Sequence, residues 1–346
     1  MREPEAATLP AMRILVTGGA GYVGSVSVEI LIAAGHEVVV LDNFSTAGHG
    51  ADREGATVVD GSYGEIEGTR AVLEQHGIEA VLHCAARSLV PESVRNPALY
   101  YMENLRGGIA LLEAMRLAGV QRLVISSTAA VYGEPDTVPI PEDAPLRPIN
   151  TYGETKRSLE AAADWYAKAY GLRPVALRYF NVAGASARNG ERHDPETHLI
   201  PNLLRAVLRG EPFTLTGTDY STRDGTTIRD YLHVVDLADA HRLALEGTAR
   251  DGDHALGVGG LLAMNLGSGQ GFGVREVIRA AEGALDRTVE VIEAPRRGGD
   301  PPQLVAAIDK AQRVLGWQPR RSTIEQMIDS AWAELRARPD RERAAR

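Results

Sequence analysis

The stretch RILVTGGAGYVG, residues 13–24, joins a short β-branched run to three glycines in the spacing GxxGxxG. The run 14–17 predicts a buried strand, and the apolar residues that follow recur at helical spacing. Glycine allows the backbone between strand and helix to approach a pyrophosphate, whose charge then lies at the positive helix N-terminus. The stretch therefore predicts a dinucleotide-binding unit at the beginning of the chain.

Strand-like and helix-like segments alternate through the first half of the sequence. Further strands are predicted near 38–41, 57–59, 80–83, 123–126 and 175–178, and helices near 24–34, 68–76, 105–117 and 155–170. Such alternation predicts α/β architecture, a doubly wound parallel Rossmann sheet with helices on both faces. Ligands of this class of sheet bind at the carboxyl ends of the strands.

The alternation of strands and helices ends after Asn181, where a polar stretch rich in Gly, Asn, Asp and Pro precedes a helix predicted at 199–209. We expect two domains, a dinucleotide-binding domain and a smaller C-terminal α/β domain for the substrate. Their expected bounds are 12–181, with a return contribution from about 225–245, and 182–335. Residues 1–11 are expected to be a disordered tail and residues 336–346 a charged tail.

The composition excludes several classes of protein. The chain has 346 residues, of which 44% are apolar and 24% charged, so it has enough apolar material for a sizeable core. Its net charge of −9 argues against nucleic acid or a membrane surface as a partner. The single cysteine, Cys84, permits no internal disulfide, favours a cytoplasmic location and is expected to be a core thiol.

An acidic residue decides which dinucleotide is expected. Asp42 ends the second predicted strand, where a carboxylate can bind the adenosine ribose hydroxyls but repels a 2′-phosphate. Asn43 follows in place of an arginine. The sequence therefore favours NAD over NADP.

A tyrosine and a lysine four residues apart form the predicted catalytic pair. Tyr152 and Lys156 open a helical segment, and this spacing places both side chains on one helix face. A free phenol has a pKa of about 10, and nearby positive charge favours its ionised form. Thr128, at the end of the fifth strand, is expected to bridge the substrate and the phenol, whereas Ser127 is expected to be structural.

Together these motifs resemble the extended short-chain dehydrogenase/reductase family and, within it, the UDP-glucose (UDP-galactose) 4-epimerases. The resemblance covers about 12–332 and rests on TGGAGYVGS at 17–25, LDN at 41–43, SSTAAVYG at 126–133, YGETK at 152–156, LRYFNVAGA at 177–185, DGTTIRDYLHVVDLA at 224–238 and APRRGGD at 294–300. It implies an isomerase in which bound NAD⁺ takes a hydride from carbon 4 of a UDP-hexose. The 4-keto sugar then turns over and receives the hydride on its opposite face.

The resemblance also implies roles for individual residues and assembly as a homodimer. Tyr152 is the implied base, Lys156 holds the nicotinamide ribose and lowers the pKa of Tyr152, and Thr128 is the catalytic hydroxyl. The implied cofactor residues are Gly18, Gly21, Tyr22, Val23, Gly24, Asp42, Asn43, Ser62, Tyr63, Ala85, Ala86, Arg87, Asn104, Ser126, Tyr152, Lys156 and Tyr179. The implied substrate residues are Thr128, Tyr152, Asn181, His198, Leu199, Thr216, Arg229, Arg297, Asp300 and Leu304.

Several alternatives stay open on the sequence. Another UDP-sugar, such as UDP-GlcNAc, UDP-glucuronate or a UDP-pentose, fits the same motifs, and Leu304 stands at the position implied to gate bulky sugars. A sugar-nucleotide dehydratase is less favoured because alanines, not acids, follow Thr128, and a non-catalytic NAD-binding regulator is less favoured because Tyr152 and Lys156 are both present. No metal site is expected, since the acids and histidines of 193–198 lack the spacing of a helical zinc motif.

Overall fold

The computed structural model describes residues 11–46, 53–193, 196–250, 252, 255–296 and 300–344, with side chains as far as residue 337. The strands are β1 (Arg13–Thr17), β2 (Glu37–Asp42), β3 (Thr57–Asp60), β4 (Ala80–His83), β5 (Arg122–Thr128), β6 (Arg173–Tyr179), β7 (Asn181–Ala183), β8 (Phe213–Thr216), β9 (Ile228–His233), β10 (Leu262–Leu266), β11 (Gly271–Gly273), β12 (Val291–Ala294) and β13 (Gln303–Leu304). The α-helices are α1 (Tyr22–Ala33), α2 (Ile66–Gln75), α3 (Val90–Arg95), α4 (Pro97–Tyr100), α5 (Gly107–Ala118), α6 (Thr151–Tyr170), α7 (Leu199–Arg209), α8 (Val234–Thr248), α9 (Val274–Leu285), α10 (Asp309–Leu315) and α11 (Ile324–Ala344). A π-helical turn, Tyr101–Arg106, leads into α5, and a 3₁₀ turn, Ala129–Val131, follows β5.

The larger sheet has seven parallel strands in the order β10-β6-β5-β4-β1-β2-β3. The predicted parallel Rossmann sheet is therefore confirmed, and all six predicted strands belong to it. The seventh strand, β10, was assigned from the sequence to the C-terminal domain. It pairs with β6 from Leu262↔Val175 to Leu266↔Tyr179, so this short segment returns to the first sheet.

Alternation along the strands produces two apolar layers, one on each face of this sheet. Ile14 and Val16 of β1 lie in one buried cluster, and Leu15 between them lies in the cluster on the other face. Because both layers are covered by helices, the strands are buried on both faces. The carboxyl ends of β1, β2, β4 and β5 thereby open toward one edge of a rigid platform.

The second half of the chain contributes both to this platform and to a smaller unit. Helix α8 packs on α1 through Val26, Val234 and Ala238, within the stretch expected to return to the first domain. The smaller unit contains β7, β9, β11 and β13 in one sheet and the parallel pair β8 and β12 in another. A third buried cluster, including Leu203, Leu215 and Val277, joins these strands to α7, α9 and α11.

The C-terminal end differs from the expectation of a tail. Helix α11 continues as far as Ala344, so the charged stretch 336–344 is helical. Its alanine, arginine and glutamate residues favour helix, and charge by itself does not end one. Residues 1–10 of the expected N-terminal tail lie outside the described residues. Along the described parts of the chain, no helix combines the length and the apolarity that a bilayer crossing requires.

Candidate functional site

The glycine loop between β1 and α1 is compact enough to exclude side chains at two positions. Gly18 has φ +72°, and a Cβ there would overlap the backbone of Ala85. A Cβ at Gly24 would overlap the carbonyl oxygen of Gly18. The first turn of α1 has no acidic side chain, and Gly21 at its N-cap supplies no side-chain cap. The loop is thus an anion cradle with a positive helix end behind it.

Asp42 lies beside this loop at the end of β2. Its Oδ2 accepts a 2.9 Å hydrogen bond from the backbone N–H of Ala20, and its Oδ1 accepts one of 2.8 Å from Phe44. The carboxylate therefore closes the glycine loop as well as facing the cleft, a structural role that the sequence did not indicate.

One cleft at the carboxyl end of the sheet gathers most residues predicted for the cofactor. Those that line it are Gly18, Gly21, Tyr22, Val23, Gly24, Asp42, Asn43, Tyr63, Ala85, Ala86, Arg87, Ser126, Tyr152, Lys156 and Tyr179. Ser62 and Asn104 are not part of the lining. Asn104 is buried behind it, where its Oδ1 accepts from the Arg87 N–H at 2.8 Å and its Nδ2 donates to the Arg87 carbonyl at 3.0 Å. Asn104 therefore positions the Arg87 backbone and does not face the cleft.

Tyr152 and Thr128 meet in this cleft. Tyr152 stands in the first turn of α6, and its phenol is hydrogen-bonded to the Thr128 side chain at the end of β5. The Thr128 hydroxyl also accepts from the Ala130 N–H at 3.1 Å, so it caps the strand end while it contacts the phenol. Burial raises the pKa of Tyr152 to about 12, against a lowering contribution from Thr128.

Lys156 is buried one turn further along α6. Its Nζ donates a 2.7 Å hydrogen bond to the backbone carbonyl of Ser126, and burial lowers the pKa of this ammonium to about 8. In the protein alone, burial raises the pKa of Tyr152 and the Thr128 hydrogen bond lowers it, so the lowering expected from Lys156 stays a prediction. The protein therefore places the pair in a dry cleft, and the phenolate requires further positive charge.

The remaining polar groups at the end of β5 have separate roles. Ser126 is hydrogen-bonded through its hydroxyl to Tyr179, which lines the cleft. Ser127 points to the opposite side and donates a 2.5 Å hydrogen bond to Glu160, as a structural residue would. Glu160 in turn forms a buried ion pair with Arg178, with Oε2 and Nη2 2.6 Å apart.

A second cleft lies alongside the smaller unit. Of the residues predicted for the substrate, those that line it are Asn181, His198, Leu199, Thr216, Arg229 and Asp300. The guanidinium of Arg229 lies 3.3 Å from the Asp300 carboxylate. Asn181 is hydrogen-bonded to Tyr231 from the neighbouring strand β9. This cleft therefore brings the guanidinium of Arg229 together with Asp300 and Asn181, whose side chains can hydrogen-bond ribose hydroxyls.

Three predicted substrate residues, Thr128, Tyr152 and Leu304, are not part of this lining. Leu304 pairs with Arg229 across β13 and β9 and packs against a small buried cluster that includes Tyr132 and Phe180. Thr128 belongs with Tyr152 near the first cleft. Arg297 lies outside the described residues.

Sequence reasoning missed several residues that line the two clefts. Cys84 was expected in the core, yet it packs against the core and also lines the first cleft, where burial raises the pKa of its thiol to about 12. Ser45, Thr46, Ser88, Glu103 and His193 line the same cleft. Arg205 and Arg209 line the second cleft, and their spacing of four residues on α7 was the available signal.

A parallel doubly wound sheet with a glycine loop, a carboxylate after the second strand and a Tyr–Lys pair in the cleft defines a dinucleotide-dependent enzyme of the short-chain dehydrogenase/reductase type. The model of the NAD dependent epimerase/dehydratase family matches residues 14–259. The chain belongs to this family.

Individual relatives extend the likeness over nearly the whole chain. The UDP-glucose 4-epimerase of Corynebacterium glutamicum is 46% identical over 336 residues, covering 97% of this chain and 99% of that protein. The crystal structure of the Brucella ovis UDP-glucose 4-epimerase in complex with NAD has a TM-score of 0.88 at 42% identity and covers 94% of this chain and 98% of its own. That of the Bifidobacterium longum enzyme in complex with NAD⁺ and UDP has a TM-score of 0.87 at 32% identity, with 95% and 99% covered.

Proposed function

We propose that the protein is an NAD-dependent UDP-glucose 4-epimerase, which interconverts UDP-glucose and UDP-galactose. The observation that carries the proposal is the partly buried Tyr152, hydrogen-bonded to Thr128 and lining the same cleft as Lys156 and the glycine loop. The relatives named UDP-glucose 4-epimerase at about 45% identity support the same activity.

The first cleft fits NAD by its own geometry. The glycine loop packs closely, since a Cβ at position 18 or 24 would collide with backbone, and it lines the cleft together with the N-terminus of α1, where a pyrophosphate is favoured. Asp42 presents a carboxylate at the end of β2, where ribose hydroxyls bind and a 2′-phosphate is repelled. Lys156 and Tyr179 line the end of the cleft next to Tyr152, where the nicotinamide end of the cofactor would lie. When bound, NAD⁺ supplies a hydride acceptor for carbon 4 of the sugar and a positive charge near the phenol.

Tyr152 is the group that accepts and returns the proton of the sugar 4-hydroxyl. Its pKa of about 12 in the protein alone is too high for a base at neutral pH, so the cationic cofactor and Lys156 have to lower it in the complex. Thr128 donates a hydrogen bond that favours the phenolate and positions the sugar hydroxyl. Because the pair is buried, each of these electrostatic contributions acts in a low-dielectric environment.

The second cleft would hold the UDP portion. Arg229 offers a planar guanidinium suited to a diphosphate, and Asp300 offers acceptors for ribose hydroxyls. Arg205 and Arg209 also line this cleft, each near a carboxylate, that of Glu196 at 3.6 Å and that of Glu211 at 3.8 Å. Binding through the nucleotide leaves the hexose itself free to turn, which is required if both faces of the 4-keto sugar are to meet the cofactor.

Which hexose the enzyme accepts on the UDP is a separate and more specific proposal. Leu304 is half-buried, smaller than an aromatic residue and fixed on β13. We expect partial acceptance of UDP-GlcNAc beside UDP-glucose. An assay of both substrates with the same preparation decides this, and a background rate with the acetylated sugar would exclude it.

We also propose that the enzyme is a cytoplasmic homodimer. Its single cysteine suits a reducing compartment. Exposed apolar side chains occur on three elements of the first domain: Val94 at 64% exposure on α3, Met102 at 53% on the π-helical turn and Trp165 at 68% on α6. A helix bundle formed by two copies would cover them, and sedimentation of the purified chain measures the mass directly.

The experiment that tests the function is incubation of the purified protein with UDP-galactose and no added cofactor, followed by proton NMR of the sugar. Appearance of UDP-glucose supports both the activity and tight retention of NAD. Loss of the proton signals at carbon 6 would instead reveal a dehydratase. Absence of any conversion, with and without added NAD, would refute the proposal.

A further inference from the structure

Four potential metal ligands converge in the segment between β7 and α7. These are Glu191, His193, Glu196 and His198, and the ligand atom that each offers lies within 4.8 Å of all the others. From the sequence, a metal site at His193, Asp194, Glu196 and His198 was not expected, because their spacing is not that of a helical zinc motif. The structure brings three of these residues together with Glu191 without helical periodicity.

The two carboxylates of this cluster are buried, and both imidazoles point at them. The Glu191 and Glu196 side chains are only 7% and 1% exposed. Glu191 Oε1 lies 2.7 Å from His193 Nδ1 and 2.8 Å from His198 Nδ1, and Glu196 Oε1 lies 2.9 Å from His198 Nδ1. Burial of two carboxylates is costly unless a cation compensates them.

Arg205 and the imidazole of His198, whose pKa burial lowers but Glu191 and Glu196 raise to about 10, compensate part of this charge. Glu196 Oε2 accepts no hydrogen bond from the described residues, and Nη2 of Arg205 lies 3.6 Å from it. Glu196 Oε1, in contrast, accepts from the backbone N–H groups of Thr197 and His198, both at 2.9 Å. These backbone contacts fix the orientation of the carboxylate and leave Oε2 available inside the cluster.

Two imidazole nitrogens and two carboxylate oxygens match one class of metal. Zinc takes four such ligands in tetrahedral geometry at about 2.0–2.2 Å, which separates the donor atoms by about 3.3 Å. The present separations extend from 2.7 Å to no more than 4.8 Å, so small side-chain movements would reach that geometry. Magnesium and calcium prefer a shell of oxygens, which the two imidazoles do not supply.

We propose that Glu191, His193, Glu196 and His198 form a zinc site with four protein ligands. With no position left open for a substrate, the ion in this site has a structural role. His193 lines the first cleft and His198 lines the second, immediately before α7 begins at Leu199. The ion therefore clamps the loop that separates the dinucleotide cleft from the nucleotide cleft.

The test measures metal binding by the full chain without a purification tag. Protein treated with a chelator is titrated with zinc against a chromophoric competitor, and with Co²⁺, whose visible absorption reports tetrahedral coordination. We expect one zinc per chain and a tetrahedral cobalt spectrum without a thiolate charge-transfer band. Such a band would place the metal at Cys84 and overturn the proposal.

Two variants and a matched control locate the site. Glu191→Gln and His193→Ala each remove one ligand, and we expect zinc affinity to fall by more than the roughly 10- to 100-fold that loss of an outer-shell partner causes. His76→Ala, which alters a histidine at the end of α2 outside the cluster, should bind zinc like the parent protein. Thermal melting without metal shows that each variant is folded. Absence of zinc binding in the parent protein, or zinc affinity equal to the parent's in both cluster variants, would refute the site.

Discussion

Lys156 is tied to strand β5, which carries the Thr128 hydroxyl, since its Nζ donates a 2.7 Å hydrogen bond to the backbone carbonyl of Ser126. Two residues further along β5, Thr128 is hydrogen-bonded to Tyr152, one turn earlier on α6. The helix and the strand are thus joined at two successive levels. This double attachment fixes the phenol and the ammonium relative to each other before any ligand binds.

Replacement of Tyr152 by Phe should lower the turnover of UDP-galactose by about 10²–10⁴-fold, the range expected when a general base is lost. The ring still fills the same buried volume, so NAD content per chain should stay unchanged. Tyr170→Phe on the same helix, at a side chain that is 53% exposed, is the matched control and should retain full activity. Equal turnover in both variants would contradict the assigned role.

Replacement of Lys156 by Met should abolish activity yet stabilise the protein. Burial lowers the pKa of Lys156 from its usual 10.5 to about 8, so the folded state disfavours the charged form. Below pH 8 this penalty is fully present. Removal of the charge should raise the free energy of unfolding at pH 7 by roughly 1–3 kcal/mol, after loss of the Ser126 hydrogen bond is included.

The pH dependence of stability gives a second measurement on the same residue. Between pH 8 and 10.5 the unfolded chain holds a proton on Lys156 that the folded chain has released, so this group makes stability rise with pH in that window. Urea titrations at pH 7.5, 9 and 10 should show a smaller rise for Lys156→Met than for the parent protein. Lys168→Met, at a 50% exposed side chain, should leave the slope unchanged.

Replacement of Gly24 by Ala should abolish NAD retention, because the added Cβ overlaps the Gly18 carbonyl oxygen and displaces the loop. Gly283→Ala in α9 is the matched control, since a Cβ there meets no atom within 4 Å. That control should gain up to about 1 kcal/mol in unfolding free energy from helix propensity. Cofactor released on denaturation, measured by absorbance, distinguishes the two variants.

Replacement of Glu160 by Gln should cost about 3–5 kcal/mol in unfolding free energy, because it leaves the buried Arg178 without its counter-charge. The exposed pair of Lys168 and Asp164 provides the comparison, and Lys168→Ala should cost less than about 1 kcal/mol. Chemical denaturation of both variants measures these costs. Similar losses of unfolding free energy in the two variants would show that burial does not determine how much an ion pair contributes.

Local patterns were sufficient for the first sheet and for part of the site. The run 14–17, the glycines after it and the spacing of Tyr152 and Lys156 are determined by nearby residues, so strand, loop and helix could be predicted from them. Strand β10 was not predicted as part of this sheet, because its pairing with β6 joins segments far apart in the sequence. Such pairing has no local signature.

Local sequence patterns also could not predict those side-chain roles that depend on burial. Asn104 was assigned to the cofactor, whereas it supports the backbone of Arg87. In the protein alone the pKa of Tyr152 is raised, because desolvation, which depends on the whole fold, outweighs the hydrogen bond from Thr128. The cluster at Glu191 was missed for the same reason, since only the folded loop brings its members together.

The two hydrogen bonds that Asp42 accepts from Ala20 and Phe44 constrain how this lineage could change its coenzyme. A neutral residue without an acceptor at position 42 would remove the repulsion of a 2′-phosphate, but it would also leave the Ala20 and Phe44 amides without their acceptor. Conversion to NADP use is therefore not a single-substitution path. Another side chain must first accept the hydrogen bond of the Ala20 N–H. Until then, substitutions of Asp42 that disturb the glycine loop are disfavoured, and the enzyme keeps its present coenzyme.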